Sequence, residues 1–178
     1  MKSLTHYIQE KLIIKKSKTK NYKYFPETEE ELKDIIKQRI EVEGNEVDLN
    51  DIDVSKITDM SNLFYEYGDF NGDISNWDVS NVTNMYAIFY TCKKFNQDIS
   101  MWDVSNVTDM SYMFYNCKSF NQDISSWDVS NVTNMTRMFY RCDKFNQDIS
   151  NWNVYKVKIK DKMFYLCPIE EKYKPKFK

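Results

Sequence analysis

A 25-residue repeat constrains the fold of this chain more than any other feature. The segment Phe95–Met110 reads FNQDISMWDVSNVTDM, and nearly the same letters occur 25 residues earlier and 25 residues later. A constant period of this length predicts that the units stack on one another and share one continuous core. Equivalent apolar positions form columns, among them Phe64, Phe89, Phe114, Phe139 and Phe164; Trp77, Trp102, Trp127 and Trp152; and Met60, Met85, Met110 and Met135.

The apolar spacing within one unit predicts two short elements. Trp77 and Val79 alternate with polar residues after Ile74, which predicts a short strand. A later group recurs at i, i+3, i+4 and i+7, which predicts a short helix; its members are Met85, Ile88, Phe89 and Cys92. The expected fold class is therefore an α/β repeat solenoid with one parallel β-sheet along one side and short helices opposite.

The repeat also resembles a known family. The pattern Ile-x-x-Trp-x-Val-x-x-Val-x-x-Met, followed by Phe-Tyr-x-Cys-x-x-Phe, resembles BspA-like leucine-rich repeats. It is more similar still to the WDVSNVTDM repeats of mycoplasma-type surface proteins, which also occur in phage proteins. The resemblance covers about residues 47–167. It implies a right-handed, leucine-rich-repeat-like superhelix used in adhesion and protein binding.

The two ends depart from the repeat, so we divide the chain into three parts. Residues 1–44 are expected to form an N-terminal helical segment and cap, residues 45–159 the repeats, and residues 160–178 a C-terminal cap with a basic tail. The repeat decays near the end, where Lys156, Lys158 and Ile159 replace the usual Asn, Thr and Asn or Asp. A last short helix is expected at Met163–Cys167.

The N-terminal part contains two helix signals. Thr28 and Glu31 form a capping box, an apolar stripe follows, and Gly44 is a C-terminal stop. An earlier helix near Leu4–Leu12 could pack on this cap or act as a separate binding element.

Charge is strongly segregated along the chain. Net charge is +2 for residues 1–44, −9 for residues 45–154 and +5 for residues 155–178. An acidic middle disfavours nucleic acid, because phosphate binding needs a basic face. No apolar run approaches the roughly 20 residues of a membrane span. The first residues lack the pattern of a signal peptide, so a cytoplasmic or virion-associated location is expected.

Conventional chemistry has little support in the sequence, and we expect no catalytic, cofactor or metal site. His6 is the single histidine, and the four cysteines recur once per unit without a close pair. The aspartate columns allow two interpretations. Their carboxylates could accept hydrogen bonds from turn backbone, or they could bind a ladder of calcium ions or a cationic partner. The columns are Asp73, Asp98, Asp123 and Asp148; and Asp78, Asp103 and Asp128, which Asn153 ends.

The predicted function is non-catalytic protein binding through the polar, acidic sheet face, with a basic patch on the partner. Met101 is an apolar residue at a variable and otherwise polar position of this face. The alternative is a structural or assembly-accessory component of a phage or virus particle, and the oligomeric state is left open. The expected binding residues are Asn76, Asp78, Met101, Asp103, Ser126, Asp128, Asn151 and Asn153.

Overall fold

The computed structural model describes residues 21–177, in which the repeats stack in register. Rings of equivalent phenylalanines lie parallel, with centroids 5.6 Å apart for Phe64 and Phe89 and again for Phe89 and Phe114. The indoles of Trp77 and Trp102 stack at 6.4 Å and are buried. The core is therefore one continuous column of repeated side chains, each unit burying its apolar residues against its neighbours.

Among the described residues, one helix caps the N-terminal end of this column. Helix α1 spans Glu29–Glu43, as the capping box predicts. The Thr28 hydroxyl accepts a hydrogen bond from the Glu31 N–H, while the Glu31 carboxylate accepts one from the Glu27 N–H. Gly44 ends the helix at a φ of 89°, a backbone conformation that glycine adopts without a Cβ clash.

Leu32, Ile35 and Ile36 are buried on the inner face of α1. The helix predicted at Leu4–Leu12 lies outside the described residues.

The predicted sheet is absent from residues 21–177, so the α/β solenoid with one parallel β-sheet is wrong. Backbone pairing there is limited to isolated parallel bridges, and no run of residues forms a strand. The Trp77 N–H bonds to the Ile74 carbonyl oxygen, so the chain turns between the residues expected to make a strand. A second turn joins Val79 to Val82. Residues 21–177 therefore do not form the sheet of a leucine-rich-repeat-like superhelix.

The short helices predicted opposite the sheet are also wrong, since the structure replaces them with successive turns. N–H groups of Ile88, Tyr90 and Cys92 each bond to the carbonyl oxygen three residues earlier. Ala87 and Thr91 adopt positive φ angles of 52° and 60°, which no α-helix contains. The last predicted helix, Met163–Cys167, is replaced by turns of the same kind. Besides α1, the described chain has one 3-10 helix, Glu171–Tyr173.

Hydrogen bonds between units take the place of a sheet. In the turn region, alternate N–H groups bond to carbonyl oxygens of the next unit, as Phe89 does to Met113 at 3.0 Å. In the opposite direction, the Thr108 N–H bonds to the Thr83 carbonyl oxygen at 2.8 Å. Side chains add further ladders, such as the Asn121 N–H to the Asn96 Oδ1 at 2.8 Å. Stacking is thereby specified by both packing and polar pairing.

Candidate protein-binding face

The residues predicted to bind a partner lie on one exposed surface, which we call the aspartate face. It comprises the eight residues predicted from the sequence, and all of them are exposed: Asn76, Asp78, Met101, Asp103, Ser126, Asp128, Asn151 and Asn153. They alternate with buried Trp and Val residues along the turns of each unit. The face is therefore made of turns rather than of a sheet, and its side chains recur once per layer.

Asx turns hold the carboxylates of this face. The Ser105 N–H donates to Asp103 Oδ1 at 3.1 Å, and the Ser130 N–H donates to Asp128 Oδ1 at 2.9 Å. Asn153 takes the same role, accepting from the Tyr155 N–H. Each of these side chains is thus fixed by the backbone N–H two residues further on.

A parallel aspartate column lies beside the face and uses the same turn. The Ser100 N–H holds the pKa of Asp98 below its usual range, and the Ser125 N–H does the same for Asp123. Hydrogen bonds from the Ser130 hydroxyl and N–H lower the pKa of Asp128. These donors favour the charged carboxylates and so offset the repulsion between neighbouring layers.

The repeat region that carries the aspartate face is strongly acidic. Residues 45–154 carry sixteen Asp and Glu against seven Lys and Arg. Lys94 and Lys118 form ion pairs with Asp69 and Asp143, none of which belongs to this face. At the C-terminal margin of the face, Lys156 Nζ bonds to Asn131 Oδ1 at 2.7 Å.

Met101 is the apolar centre of the aspartate face. Its side chain is 86% exposed, whereas the equivalent positions hold Asn76, Ser126 and Asn151. The Ser126 hydroxyl and the Asn151 amide each donate to a carbonyl oxygen of the preceding unit. Met101 makes no such bond, so its flexible thioether is presented to solvent among acidic groups.

The described residues offer no geometric support for a calcium ladder on the aspartates or for metal binding by the cysteines. Residues 21–177 contain no group of three or more His, Cys, Asp or Glu side chains placed to hold a metal ion. The Cys117 thiol donates to the Phe89 carbonyl oxygen at 2.9 Å, and burial raises its pKa well above the usual value. The hydrogen-bonding reading of the aspartates is the one the coordinates display.

A second surface carries a ladder of tyrosines. Rings of Tyr90 and Tyr115 stack 4.6 Å apart, and the column continues in both directions. The Arg137 guanidinium lies over the rings of Tyr112 and Tyr140 at 5.6 Å and 5.8 Å. Because the ring faces contact one another, this ladder contributes packing and presents ring edges and hydroxyls at the surface.

Comparison with protein families identifies the repeat. A family model described as a mycoplasma protein of unknown function, DUF285, matches residues 30–129 and 99–169. Together the two matches cover most of the chain. The chain belongs to the DUF285 family. This confirms the resemblance to mycoplasma-type repeats. No curated protein and no solved structure matches this DUF285 chain. Over residues 21–177, its structure has no helix long and apolar enough to cross a membrane.

Proposed function

We propose that this DUF285 protein is a non-catalytic binding scaffold whose aspartate face recognises a basic patch on a partner protein. The observation that carries the proposal is the repetition of backbone-anchored, exposed carboxylates once per layer around Met101. Attraction between the acidic column and cationic side chains would guide association, and Met101 would supply a central apolar contact.

Rigidity of the stack favours binding at low entropic cost. The turns that carry Asp78, Asp103 and Asp128 are anchored by buried indoles on their inner side. Because the carboxylates are already positioned, docking requires little ordering of the face. The resemblance to BspA-like repeats, which implies roles in protein binding, supports the same proposal.

Capture with the intact protein and matched variants tests this function. Asp103→Lys reverses a charge at the centre of the face, and we expect it to abolish capture of the partner. Asp143→Lys is the control, because it changes charge equally but lies off the face, where equivalent positions already hold Lys93 and Lys118. Equal capture by both variants would contradict the proposal. Protection of residues 100–105 from hydrogen exchange by the captured partner would localise the contact.

The alternative function is a structural or assembly-accessory component of a phage or virus particle. It would act through the ends of the stack rather than through the aspartate face. Under that function, Asp103→Lys leaves assembly intact, whereas changes at the C-terminal end disrupt it. Sedimentation of the two classes of variant separates the alternatives.

A further inference from the structure

The C-terminal end of the stack is only partly covered. The last unit is followed by residues 168–177, whose Tyr173 carbonyl oxygen accepts from the Ile149 N–H at 3.0 Å. Ile169 is buried in this covering segment. Elsewhere on the same end, Ile159, Tyr165 and Leu166 are 54%, 48% and 58% exposed. Residues 156–166, which we call the terminal edge, thus have no neighbouring layer among residues 21–177, unlike the inner units.

Within the described part of the chain, the terminal edge carries a set of unpaired backbone donors. In the preceding unit, alternate N–H groups bond to the last unit, as Phe139 does to Met163 at 2.9 Å and Arg141 does to Tyr165 at 2.9 Å. The equivalent N–H groups of the last unit have no protein acceptor within the described chain; they belong to Lys160, Lys162, Phe164 and Leu166. These donors repeat at the register used between inner units.

The backbone of this edge is nevertheless set for pairing. Lys162 and Leu166 keep positive φ angles of 52° and 54°, within about 10° of their equivalents in the inner units. The turns remain closed, with the Met163 N–H bonded to the Lys160 carbonyl oxygen at 3.2 Å. The conformation that directs N–H groups to the next layer therefore persists where no described layer follows.

The charge of the terminal edge is opposite to that of the stack beneath it. Four lysines occur between positions 156 and 162, with Asp161 as the single acid of residues 156–166; they are Lys156, Lys158, Lys160 and Lys162. Lys160 stands where inner units bury a methionine, and its Nζ lies 4.9 Å from the centre of the Phe177 ring. Donors, cations and exposed apolar groups therefore converge on one end.

We propose that the terminal edge docks an acidic segment of a partner protein, which adds one more layer to the stack. The partner's backbone carbonyl oxygens accept from the alternate N–H groups, its carboxylates pair with the lysines, and apolar side chains cover Tyr165 and Leu166. This site goes beyond the proposed function, because the aspartate face attracts cations whereas the terminal edge attracts anions.

A second copy of the chain fits this edge less well. Its first unit lies next to α1, where Glu27, Thr28 and Glu29 line one depression with residues 56–59. Helix α1 thus occupies the end that a head-to-tail copy would have to offer. Two terminal edges facing each other would bring lysines against lysines and donors against donors.

The experiment uses a defined acidic probe. A fluorescent, end-blocked peptide with the sequence of residues 59–70, DMSNLFYEYGDF, has three acids, no lysine or arginine, and the apolar pattern of one unit. Fluorescence anisotropy measures its binding to the full chain. We expect Lys158→Glu with Lys162→Glu to weaken binding at least about tenfold. The matched control is Lys93→Glu with Lys144→Glu, two exposed lysines elsewhere on the stack, which should leave binding unchanged.

Amide hydrogen exchange supplies a readout of the backbone pairing. With saturating peptide, the N–H groups of Lys160, Lys162, Phe164 and Leu166 should exchange more slowly. The proposal would be overturned by absence of binding, by equal binding of the two double variants, or by protection confined to other residues. The lysines would then serve to prevent the exposed edge from pairing with other chains. Self-association of the chain, abolished by the Lys158 and Lys162 changes, would assign the edge to a second copy and also overturn it.

Discussion

The Trp102 indole N–H donates a hydrogen bond to the Ile74 carbonyl oxygen, 28 residues earlier, at 3.2 Å. The same bond recurs in the neighbouring units, from Trp77 to Leu49 and from Trp127 to Ile99. A residue that seemed from the repeat to serve packing alone therefore also satisfies a buried backbone group of the preceding layer. Each tryptophan therefore couples two units, through packing of its ring and through its indole hydrogen bond.

Trp102→Phe should lower the free energy of unfolding by about 0.5–1.5 kcal/mol through loss of the indole bond alone, because the Ile74 carbonyl oxygen then keeps only the Trp77 N–H as a donor. The smaller ring adds a further loss through poorer packing. Chemical denaturation followed by circular dichroism measures the change. Met101→Ser is the control, since its exposed side chain predicts a change within about 0.5 kcal/mol. Equal stability of Trp102→Phe and the unmodified chain would contradict a structural role for the indole bond.

Thr91→Asn should raise the free energy of unfolding by about 0.5–1 kcal/mol, because asparagine tolerates the left-handed region better than a β-branched residue does. Thr91 has a φ of 60°, and the equivalent residue of the next unit is Asn116, with a φ of 58°. Thermal or chemical unfolding measures the effect. Thr91→Val keeps the β-branch and should give no gain. A gain of the same size for valine would show that φ is not the cause.

The stacking register could be predicted from the sequence, but the path of each unit could not. Trp77 and Val79 are buried as expected, yet the turn closed by Trp77 and Ile74 interrupts the strand. After Met85, a series of turns that contain residues at positive φ gives the same spacing of apolar residues as a helix would. Neither Ala87 nor Thr91 signals that conformation, because glycine or asparagine is its usual marker.

The exposure of the candidate site could likewise be predicted, since the aspartate face consists of the polar residues between buried ones. The terminal edge was missed as a site. Its visible signal was the decay of the repeat at Lys156, Lys158 and Ile159. The decisive feature is a row of N–H groups that have no acceptor among residues 21–177. It depends on which backbone atoms face the next layer and has no counterpart in the side-chain pattern.

Cys167 should be the first cysteine of the native protein to react with a maleimide. Burial raises its pKa to about 11, so its thiolate fraction near pH 8 is about 100-fold below that of an ordinary thiol. Cys92, Cys117 and Cys142 are fully buried, and burial raises their pKa values further. A mass-spectrometric time course identifies the modified residue. In denaturant all four should react at similar rates; rapid labelling of Cys117 in the native state would contradict the buried column.

Acid should destabilise the stack through the aspartates of its Asx turns. The Ser100 and Ser125 N–H groups lower the pKa values of Asp98 and Asp123. A native pKa below the unfolded value of about 3.9 stabilises the fold at higher pH, and this contribution is lost as pH falls through the native pKa. Unfolding free energy measured from about pH 6 down to about pH 2 should therefore decrease, mainly below about pH 4.

The double variant Asp98→Asn with Asp123→Asn isolates this contribution. Asparagine can still accept the serine N–H through its side-chain oxygen but does not titrate, so the turns are kept while the proton linkage is removed. The dependence of unfolding free energy on pH should be shallower in this variant than in the unmodified chain. The matched control, Lys93→Gln with Lys144→Gln, removes two charges that do not titrate in this range and should keep the original slope. Identical slopes for all three proteins would show that the Asx-turn carboxylates do not carry the acid sensitivity.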